Sequence, residues 1–495
     1  MSNTNDIIES LTKENARLRQ ENKQLRDIVE TLNRRIDTLE EKLAASKKTS
    51  RNSSKPPSSD IVKPKKPKTN ESEDKREIGG QPGHPKHTRP LYTEDQIDIR
   101  HPHVYAACPN CGGEAILRLD LKPRRLQQIE IKEIPVQKEE HCSYAVWCED
   151  CEEIHYKPFP QSVVKEGLFK ERITALVAYM KYVCHASFST IRKFIRDVLG
   201  ETVARSFLRK VLAKVTVSLD DPYEELLNRL PLETIVNADE SGHKDWGVNP
   251  KDNRQKFWTW VFRAELYVLF KIDKTRSTQV LIDVLGESFN GALGSDYFSS
   301  YQSYMRRFDV TLQFCIAHLI RDVRFLTNLP DKETKAYGEC ILDGIRVLFK
   351  IIHNRDAFSK SSFRAALEQA KQTIIAAATT NVPSLLDKKG KELKRRAKNM
   401  ADRFLKHGDA YFTFITTPGM DPTNNIAEQA IRFIVIDRHV TQGTRSLAGR
   451  QTCERLWTVI ATCQLQGRSA FNFILESVHA YFHDQAPPSL LPSPT

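Results

Sequence analysis

The chain has 495 residues, 40% of them hydrophobic, and a net charge of +12 from 75 Lys and Arg against 63 Asp and Glu. At roughly 150 residues per domain, this length predicts several domains. No apolar run approaches the roughly 18 residues of a membrane span, and the polar, acidic start MSNTNDIIES is unlike a secretory signal. These features argue against membrane and secreted proteins. We expect a cytoplasmic protein with reduced cysteines and a polyanionic partner.

Residues 1–46 are predicted to form a coiled coil. Leucine recurs every seventh residue from Leu11 to Leu39, and the positions four residues after each leucine are apolar or Asn. This spacing with charged flanks is typical of a two-helix seam, and Asn15 and Asn22 in the seam favour a parallel dimer in one register. We therefore expect a homodimer or higher oligomer; the alternative is a single amphipathic helix packed on its own globule.

Residues 47–90 are rich in Pro, Ser, Gly and Lys and contain few large apolar side chains. Such a segment cannot bury enough surface to offset its ordering entropy, so we predict a basic flexible linker. Its lysines, Lys63, Lys65, Lys66 and Lys68, suit backbone phosphates of a nucleic acid. A solvated linker without that role fits equally well.

Residues 91–160 contain two CxxC pairs with about 36 residues between them. Each pair places two thiolates on one tight turn, and two pairs complete a tetrahedral zinc shell. We therefore predict a zinc ribbon in which a structural Zn²⁺ is bound by Cys108, Cys111, Cys148 and Cys151. A thiol redox pair is the alternative for either CxxC taken alone.

Residues 161–230 read as short helices with an apolar face that includes Ile173, Leu176 and Val177. A break at Gly200 and outward basic residues are consistent with a helix-turn-helix that contacts DNA. A plain helical connector fits the pattern as well.

Strand patterns begin near residue 231. Thr234–Ala238 predicts a strand that ends at Asp239, and the segments 256–263 and 266–272 predict a hairpin. A helix, a short strand that ends at Asp296 and a fifth strand near Thr311–Ile316 follow. This order is that of a ribonuclease-H-like α/β fold, in which the acids ending the first and fourth strands lie side by side.

Residues 330–417 are helical and basic and interrupt the sheet pattern as an insertion would. The predicted core therefore comprises residues 231–329 and 418–480, and residues 481–495 form a tail. A helix capped by Thr423 or Asn424 follows the insertion and carries Glu428. A helix lying on such a sheet would bring Glu428 to the two aspartates. The whole chain is thus expected to be a multidomain α+β protein: coiled coil, zinc ribbon, helical DNA-binding segment and ribonuclease-H-like catalytic core with a helical insertion.

Three carboxylates at this edge of the sheet would repel one another unless divalent cations lay between them. Hard oxygen ligands in an open site select Mg²⁺ or Mn²⁺. Two such ions about 3.5–4 Å apart support phosphodiester exchange. Each acid alone is equally typical of a turn or a solvated surface, so it is the order of the surrounding elements that favours a metal site.

The chain resembles the insertion sequence 66 family of bacterial transposases in a series of motifs: NSSKPPSSD, GGQPGHP, CPNCGG with CEDC, NADESG, GSDYFSSY, FCIAHLIRDVR and NNIAEQAIR. The resemblance covers nearly the whole chain. It implies a DDE-type DNA transposase with a ribonuclease-H-like core, in which Asp239, Asp296 and Glu428 bind the catalytic metal ions. It also implies cleavage at the element's ends and joining of the 3′-hydroxyls to target DNA, at the bacterial nucleoid and with small accessory proteins of the same element.

Within the FCIAHLIRDVR motif, His318 matches a family histidine that would position DNA or assist proton transfer. The alternative is a packed helix histidine. Cys315 and His318, three residues apart, would also begin a second metal site, but the sequence shows no partner pair. Two other functions fit the same features: a non-catalytic DNA-binding protein, either a decayed transposase or a regulator, and a ribonuclease-H-like nuclease without strand transfer.

Overall fold

The computed structural model describes residues 2–46, 91–103, 106–107, 110–112, 125–128, 135–148, 150, 153–246, 256–384 and 394–492. The helices are α1 Ser2–Ser46, α2 Gln161–Glu166, α3 Glu171–Tyr182, α4 Phe188–Leu199, α5 Arg205–Ser218, α6 Asp220–Arg229, α7 Thr278–Leu285, α8 Ser299–Phe308, α9 Ile316–Thr327, α10 Lys332–His353, α11 Lys360–Thr379, α12 Arg395–His407, α13 Asn425–Thr441, α14 Leu447–Leu465 and α15 Ala470–Phe482. The strands are β1 Ala145–Cys148, β2 Glu153–Tyr156, β3 Ile235–Lys244, β4 Lys256–Arg263, β5 Val268–Asp273, β6 Ala292–Ser295 and β7 Thr311–Phe314. Within these residues, no helix has the length and apolar character needed to cross a membrane.

The N-terminal heptad segment is one continuous helix, α1, of 45 residues. Its seam side chains, including Leu18, Leu25 and Leu32, are each about half exposed within this single chain. The predicted helix is therefore present. Its pairing with a second copy stays a prediction.

The described part of the smaller compact unit, which falls within residues 65–140 and 196–201, holds a short 3-10 turn, Glu94–Gln96. A reciprocal capping box between Thr93 and Gln96 begins that turn. The backbone N–H of Tyr92 donates to the Gln127 side chain at 2.7 Å. These bonds hold the chain locally where few apolar side chains are buried.

In the 161–230 region, α3 and α5 pack on each other and on α14 and α15. The buried face of α3 is centred on Ala175, Val177 and Ala178, whereas Ile173 and Leu176 are only partly buried. The buried face of α3 is therefore shifted from the predicted one toward Ala175 and Ala178, and Val177 is common to both. The predicted helices are present, and nothing in their packing tests a role in DNA binding.

The central sheet has five strands in the order β5-β4-β3-β6-β7. β5, β4 and β3 are antiparallel neighbours, which confirms the predicted hairpin, while β3, β6 and β7 are parallel. The parallel pairs need crossover connections, and α7 and α8 supply them. α13 packs against β3 and β4, and α14 packs against β5, so the sheet is covered by the last helices of the chain.

Side chains from distant segments occupy both edges of this sheet. Along β5, Glu454, Thr458 and Thr462 of α14 accept hydrogen bonds from the backbone N–H groups of Ile272, Phe270 and Val268. Along β7, the Gln313 side chain donates to the carbonyl of Tyr411 and accepts from the N–H of Phe414. Both edges are thereby protected from pairing with another chain.

Strand β3 is longer than predicted. It does not end at Asp239 but continues to Lys244, because β4 pairs with it from Asn237 to Lys244. β6 pairs only with Ile235–Asn237. Asp239 therefore lies in the middle of β3, just past the point at which the parallel neighbour ends.

Candidate active site

Asp239 and Asp296 occupy equivalent positions on neighbouring strands. In the parallel register Asn237 faces Gly294, so continuing both strands by two residues sets Asp239 opposite Asp296, directly after β6. Gly294 leaves room for the Asn237 side chain, since a Cβ there would lie 2.2 Å from its amide nitrogen. The predicted proximity of the two aspartates thus follows from strand register rather than from two strand ends.

Glu428 reaches the same edge of the sheet because the start of α13 is fixed there. The Asn424 side chain donates to the Ala238 carbonyl at 2.7 Å and accepts from the Asn237 side chain at 2.9 Å. Asn424 is the N-cap residue of α13, but its side chain makes no capping bond. The predicted cap position is correct for Asn424, whereas its side chain holds the helix to β3.

The acids influence one another. Burial, followed by the charges of Glu240, Asp296 and Glu428, raises the pKa of Asp239 well above its usual value. Burial and the charge of Asp296 raise the pKa of Glu240 to about 7, against the opposing effect of Arg276. Carboxylates that disfavour each other's charged forms in this way are suited to binding cations.

Two arginines pair with the acids. Arg276 donates to Glu240, lies 3.8 Å from Asp296 and stacks on Phe298. Arg321 donates to Glu428 Oε1 at 3.0 Å. Both guanidinium groups therefore hold candidate metal-binding carboxylates in place.

His318 lies on the first turn of α9, with its Nδ1 atom 3.5 Å from Glu428 Oε1. That nitrogen is buried and has no hydrogen-bond partner within the described part of the chain. Burial, followed by the charge of Arg321, lowers the pKa of His318. The histidine thus lies beside Glu428, and its predicted role in positioning DNA or assisting proton transfer stays a prediction.

The carboxylates suit hard divalent ions by ligand type. Among the described residues, Asp239, Asp296 and Glu428 are not one of the groups in which three ligand atoms lie within 4.8 Å of one another. One oxygen from each of these three carboxylates therefore does not lie within that distance of the other two.

A cavity of about 910 Å³ opens beside these acids. Its lining combines acidic, basic and aromatic side chains: Glu240, Ser241, Gly242, His243, Lys244, Trp258, Arg276, Asp296, Tyr297, Phe298, His318, Asp322, Arg403, Arg438, His439 and Gln442. Arg403 stacks on Tyr297 and pairs with Asp322 at 2.9 Å. The cavity thus combines cationic side chains, which suit an anionic ligand, with neighbouring carboxylates.

Several lining residues were missed by sequence reasoning. Glu240 follows Asp239 directly, and adjacent strand residues normally face opposite sides, so strand alternation does not predict its place in the cavity lining or its contact with Arg276. Neither Arg276 nor Arg438 stands at a sequence spacing from the acids that predicts a shared site. Only the tertiary structure brings both arginines to the cavity.

The zinc-site cysteines are only partly described. Cys108 and Cys151 lie outside the described residues, Cys111 is exposed and Cys148 ends strand β1. In the antiparallel β1–β2 hairpin, Cys148 pairs with Glu153, and the second CxxC segment begins at this pair. The predicted zinc ligands remain a prediction.

Comparison with known proteins identifies a family for the part of the chain that contains the three acids. The chain is 23% identical over 396 residues to uncharacterized protein y4hP of Sinorhizobium fredii, an alignment that spans 72% of this chain and 67% of the relative. Residues 4–90 match a family of unknown function, DUF6444. Residues 166–452, which include Asp239, Asp296 and Glu428, match the Transposase IS66 family. Because that match spans more than half of the chain, the protein belongs to the Transposase IS66 family.

Proposed function

We propose that this protein is a DDE-type DNA transposase that cuts the ends of its element and joins the freed 3′-hydroxyls to target DNA. Asp239, Asp296 and Glu428 would hold two Mg²⁺ or Mn²⁺ ions. One observation carries the proposal: strand register sets Asp239 opposite Asp296, and Asn424 fixes the helix of Glu428 to the same strand. Family membership supports a transposase role in general.

The sheet supports a ribonuclease-H-like core. Three antiparallel strands followed by two parallel ones, in the order β5-β4-β3-β6-β7, match the order expected for that fold. In chain order, helices α10, α11 and α12 lie between α9 and α13, and they correspond to the proposed insertion.

Within such a core, metal ions bound by the acids would activate the attacking oxygen and stabilise the leaving oxygen. The chain's own residues would orient the reactants. Lys244, Arg276 and Arg438 line the cavity and would bind backbone phosphates. Arg321 holds the Glu428 carboxylate, and His318 would position DNA or assist proton transfer.

The remaining segments would supply DNA binding and assembly. We propose that Cys108, Cys111, Cys148 and Cys151 bind a structural Zn²⁺ and that the exposed basic residues of α4 and α5, among them Lys193 and Arg209, contact DNA. The lysines of the 47–90 linker and of the 388–398 stretch would add sequence-independent affinity. Accessory proteins of the same element and a location at the nucleoid follow from the family resemblance as further expectations.

The test is strand transfer by the full-length chain on linear DNA that carries the element's ends, with Mg²⁺. We expect Asp239→Asn, Asp296→Asn and Glu428→Gln each to abolish joined products, because each removes a charged ligand while keeping side-chain volume. The matched control is Asp283→Asn, at an exposed acid on α7. Chelation of Mg²⁺ should have the same effect as the triad variants.

The rival functions predict different products. Cleavage without joined products would indicate a nuclease, and binding to the element's ends without metal-dependent cleavage would indicate a non-catalytic DNA-binding protein. Full joining activity in any triad variant would contradict the assignment of that residue.

A further inference from the structure

Cys315, His318 and Glu428 meet at the junction between β7, α9 and α13. One ligand atom from each of the three lies within 4.8 Å of the other two. Cys315 is the N-cap residue of α9, and His318 and Glu428 lie on the first turns of α9 and α13. The structure thus supplies, from a helix more than a hundred residues away, the partner that the spacing of Cys315 and His318 lacked.

The ligand types of this cluster differ from those of a magnesium site. Magnesium takes oxygen ligands, whereas a set of thiolate, imidazole and carboxylate suits Zn²⁺ and other thiophilic divalent ions. His318 lines the cavity, so a fourth ligand position would be open to water. Three protein ligands and one open position are a common arrangement for bound zinc.

Two contacts indicate that the cluster is built to hold an ion. The Nδ1 atom of His318 is buried, lies 3.5 Å from Glu428 Oε1 and has no hydrogen-bond partner among the described residues, which is costly for a ring nitrogen in the interior. The Cys315 sulfur accepts the backbone N–H of Asn424 at 3.1 Å. N–H donors to sulfur stabilise a metal-bound thiolate. This donor is the backbone of Asn424, the residue at the N-cap position of the helix that carries Glu428.

We propose that Cys315, His318 and Glu428 form a second metal site that binds a thiophilic divalent ion such as Zn²⁺. An ion bound there withdraws Glu428 from the catalytic magnesium site and so inhibits the enzyme; this inhibitory role rests on the proposed function, whereas ion binding does not. The site makes Glu428 the shared ligand of two alternative metal arrangements.

Binding is tested with Co²⁺ as the probe, on the full-length chain, by absorption spectroscopy. A cobalt–thiolate bond gives a charge-transfer band that carboxylate and imidazole ligands do not give. The group of Glu171, His479 and His483 contains no thiol and is silent in this band. The predicted four-cysteine site contributes equally to every variant, so the difference between variants is the signal.

We expect Cys315→Ala to lose the part of the charge-transfer band that arises from this site. The matched control Cys340→Ala, at an exposed cysteine of α10, should keep that part of the band. His318→Gln should weaken this Co²⁺ affinity by roughly tenfold or more, as expected when a ligand is lost. An identical Co²⁺ titration of Cys315→Ala and the unsubstituted chain overturns the site. If Cys315→Ala does not fold, unchanged titrations of both His318→Gln and Glu428→Gln overturn it instead.

The inhibitory role has its own measurement. At fixed Mg²⁺, added Zn²⁺ should reduce strand transfer, and the half-inhibiting concentration should rise roughly tenfold or more in Cys315→Ala, each variant being compared with its own zinc-free activity. Equal zinc sensitivity of the two proteins overturns this role. Absence of any magnesium-dependent strand transfer contradicts the proposed function, while the Co²⁺ result still decides whether the site exists.

Discussion

At the scale of single residues, Asn424 has the most consequential side chain outside the acids. It is 1% exposed and uses both ends of its amide on strand β3, with the Ala238 carbonyl on one side and the Asn237 amide on the other. A helix N-cap asparagine ordinarily bonds its own helix. Here that bond is absent, and the amide instead sets the position of Glu428 relative to Asp239.

Asn424→Ala should therefore lower both stability and activity. Two buried polar groups lose their partner, each of which costs about 1–3 kcal/mol of unfolding free energy. We expect chemical denaturation to show this loss and strand transfer to fall further than the loss of folded protein explains. Asn425→Ala, at the neighbouring exposed asparagine, is the control. Equal effects of the two substitutions would contradict the role given to Asn424.

We expect His243 to make the stability of the fold depend on pH. Its ring is buried and hydrogen-bonded to Thr444 at 2.9 Å, and burial together with the charge of Arg438 lowers its pKa to about 4. The unfolded chain takes up this proton below about pH 6.5, whereas the folded chain does not until about pH 4. The contribution of His243 to stability is therefore complete above pH 6.5 and decreases as the pH falls toward 4.

We expect His243→Gln to flatten the decline in unfolding free energy between pH 6.5 and 4, as measured by denaturant titration at several pH values. His353→Gln, at an exposed histidine on α10, should leave the slope unchanged. A slope in His243→Gln equal to that of the unsubstituted chain would show that another group carries the pH dependence.

At the scale of elements, helix α14 completes the edge of the sheet. Glu454, Thr458 and Thr462 are spaced four residues apart, so they form one line along the helix, and each bonds a backbone N–H of β5. The outward N–H groups of this edge strand are thereby satisfied without another strand. Side chains of helix α14 thus supply the hydrogen-bond acceptors that a sixth strand would supply in a larger sheet.

Thr458→Val tests this contact with little change in side-chain size. The Phe270 N–H would lose its acceptor in a fully buried position, and we expect the unfolding free energy to fall by about 1–3 kcal/mol. The comparison is Thr373→Val on α11, where the threonine is exposed and bonds its own helix. A loss no larger than in Thr373→Val would show that water or another group replaces the bond.

At the scale of the whole molecule, the described apolar side chains of α1 between Leu18 and Leu39 are exposed within one chain. Ile36 and Leu39, like the leucines before them, are about half exposed. A partner helix would bury this stripe, and a dimer would give a transposase two active sites for two element ends. We therefore propose that α1 assembles the protein.

Leu25→Lys combined with Leu32→Lys places charges in the proposed seam, so we expect the full-length protein to change from dimer to monomer. Analytical ultracentrifugation over a range of concentrations measures this change. Gln20→Lys with Asp27→Lys adds charge on the outer face of the same helix and should leave the dimer intact. A monomer before substitution, or a dimer that survives it, would contradict the proposed seam.

Much of the architecture followed from the sequence itself. The helix of residues 2–46, the hairpin of β4 and β5 and the helix that carries Glu428 depend on periodicity and side-chain type in contiguous residues. The length of β3 did not follow, because its continuation to Lys244 is imposed by pairing with β4. Only the tertiary structure decided that Asn424 holds Ala238 from 186 positions away and that Cys315, His318 and Glu428 meet. Such contacts join segments that local patterns treat as independent, so they are determined by packing rather than by sequence spacing.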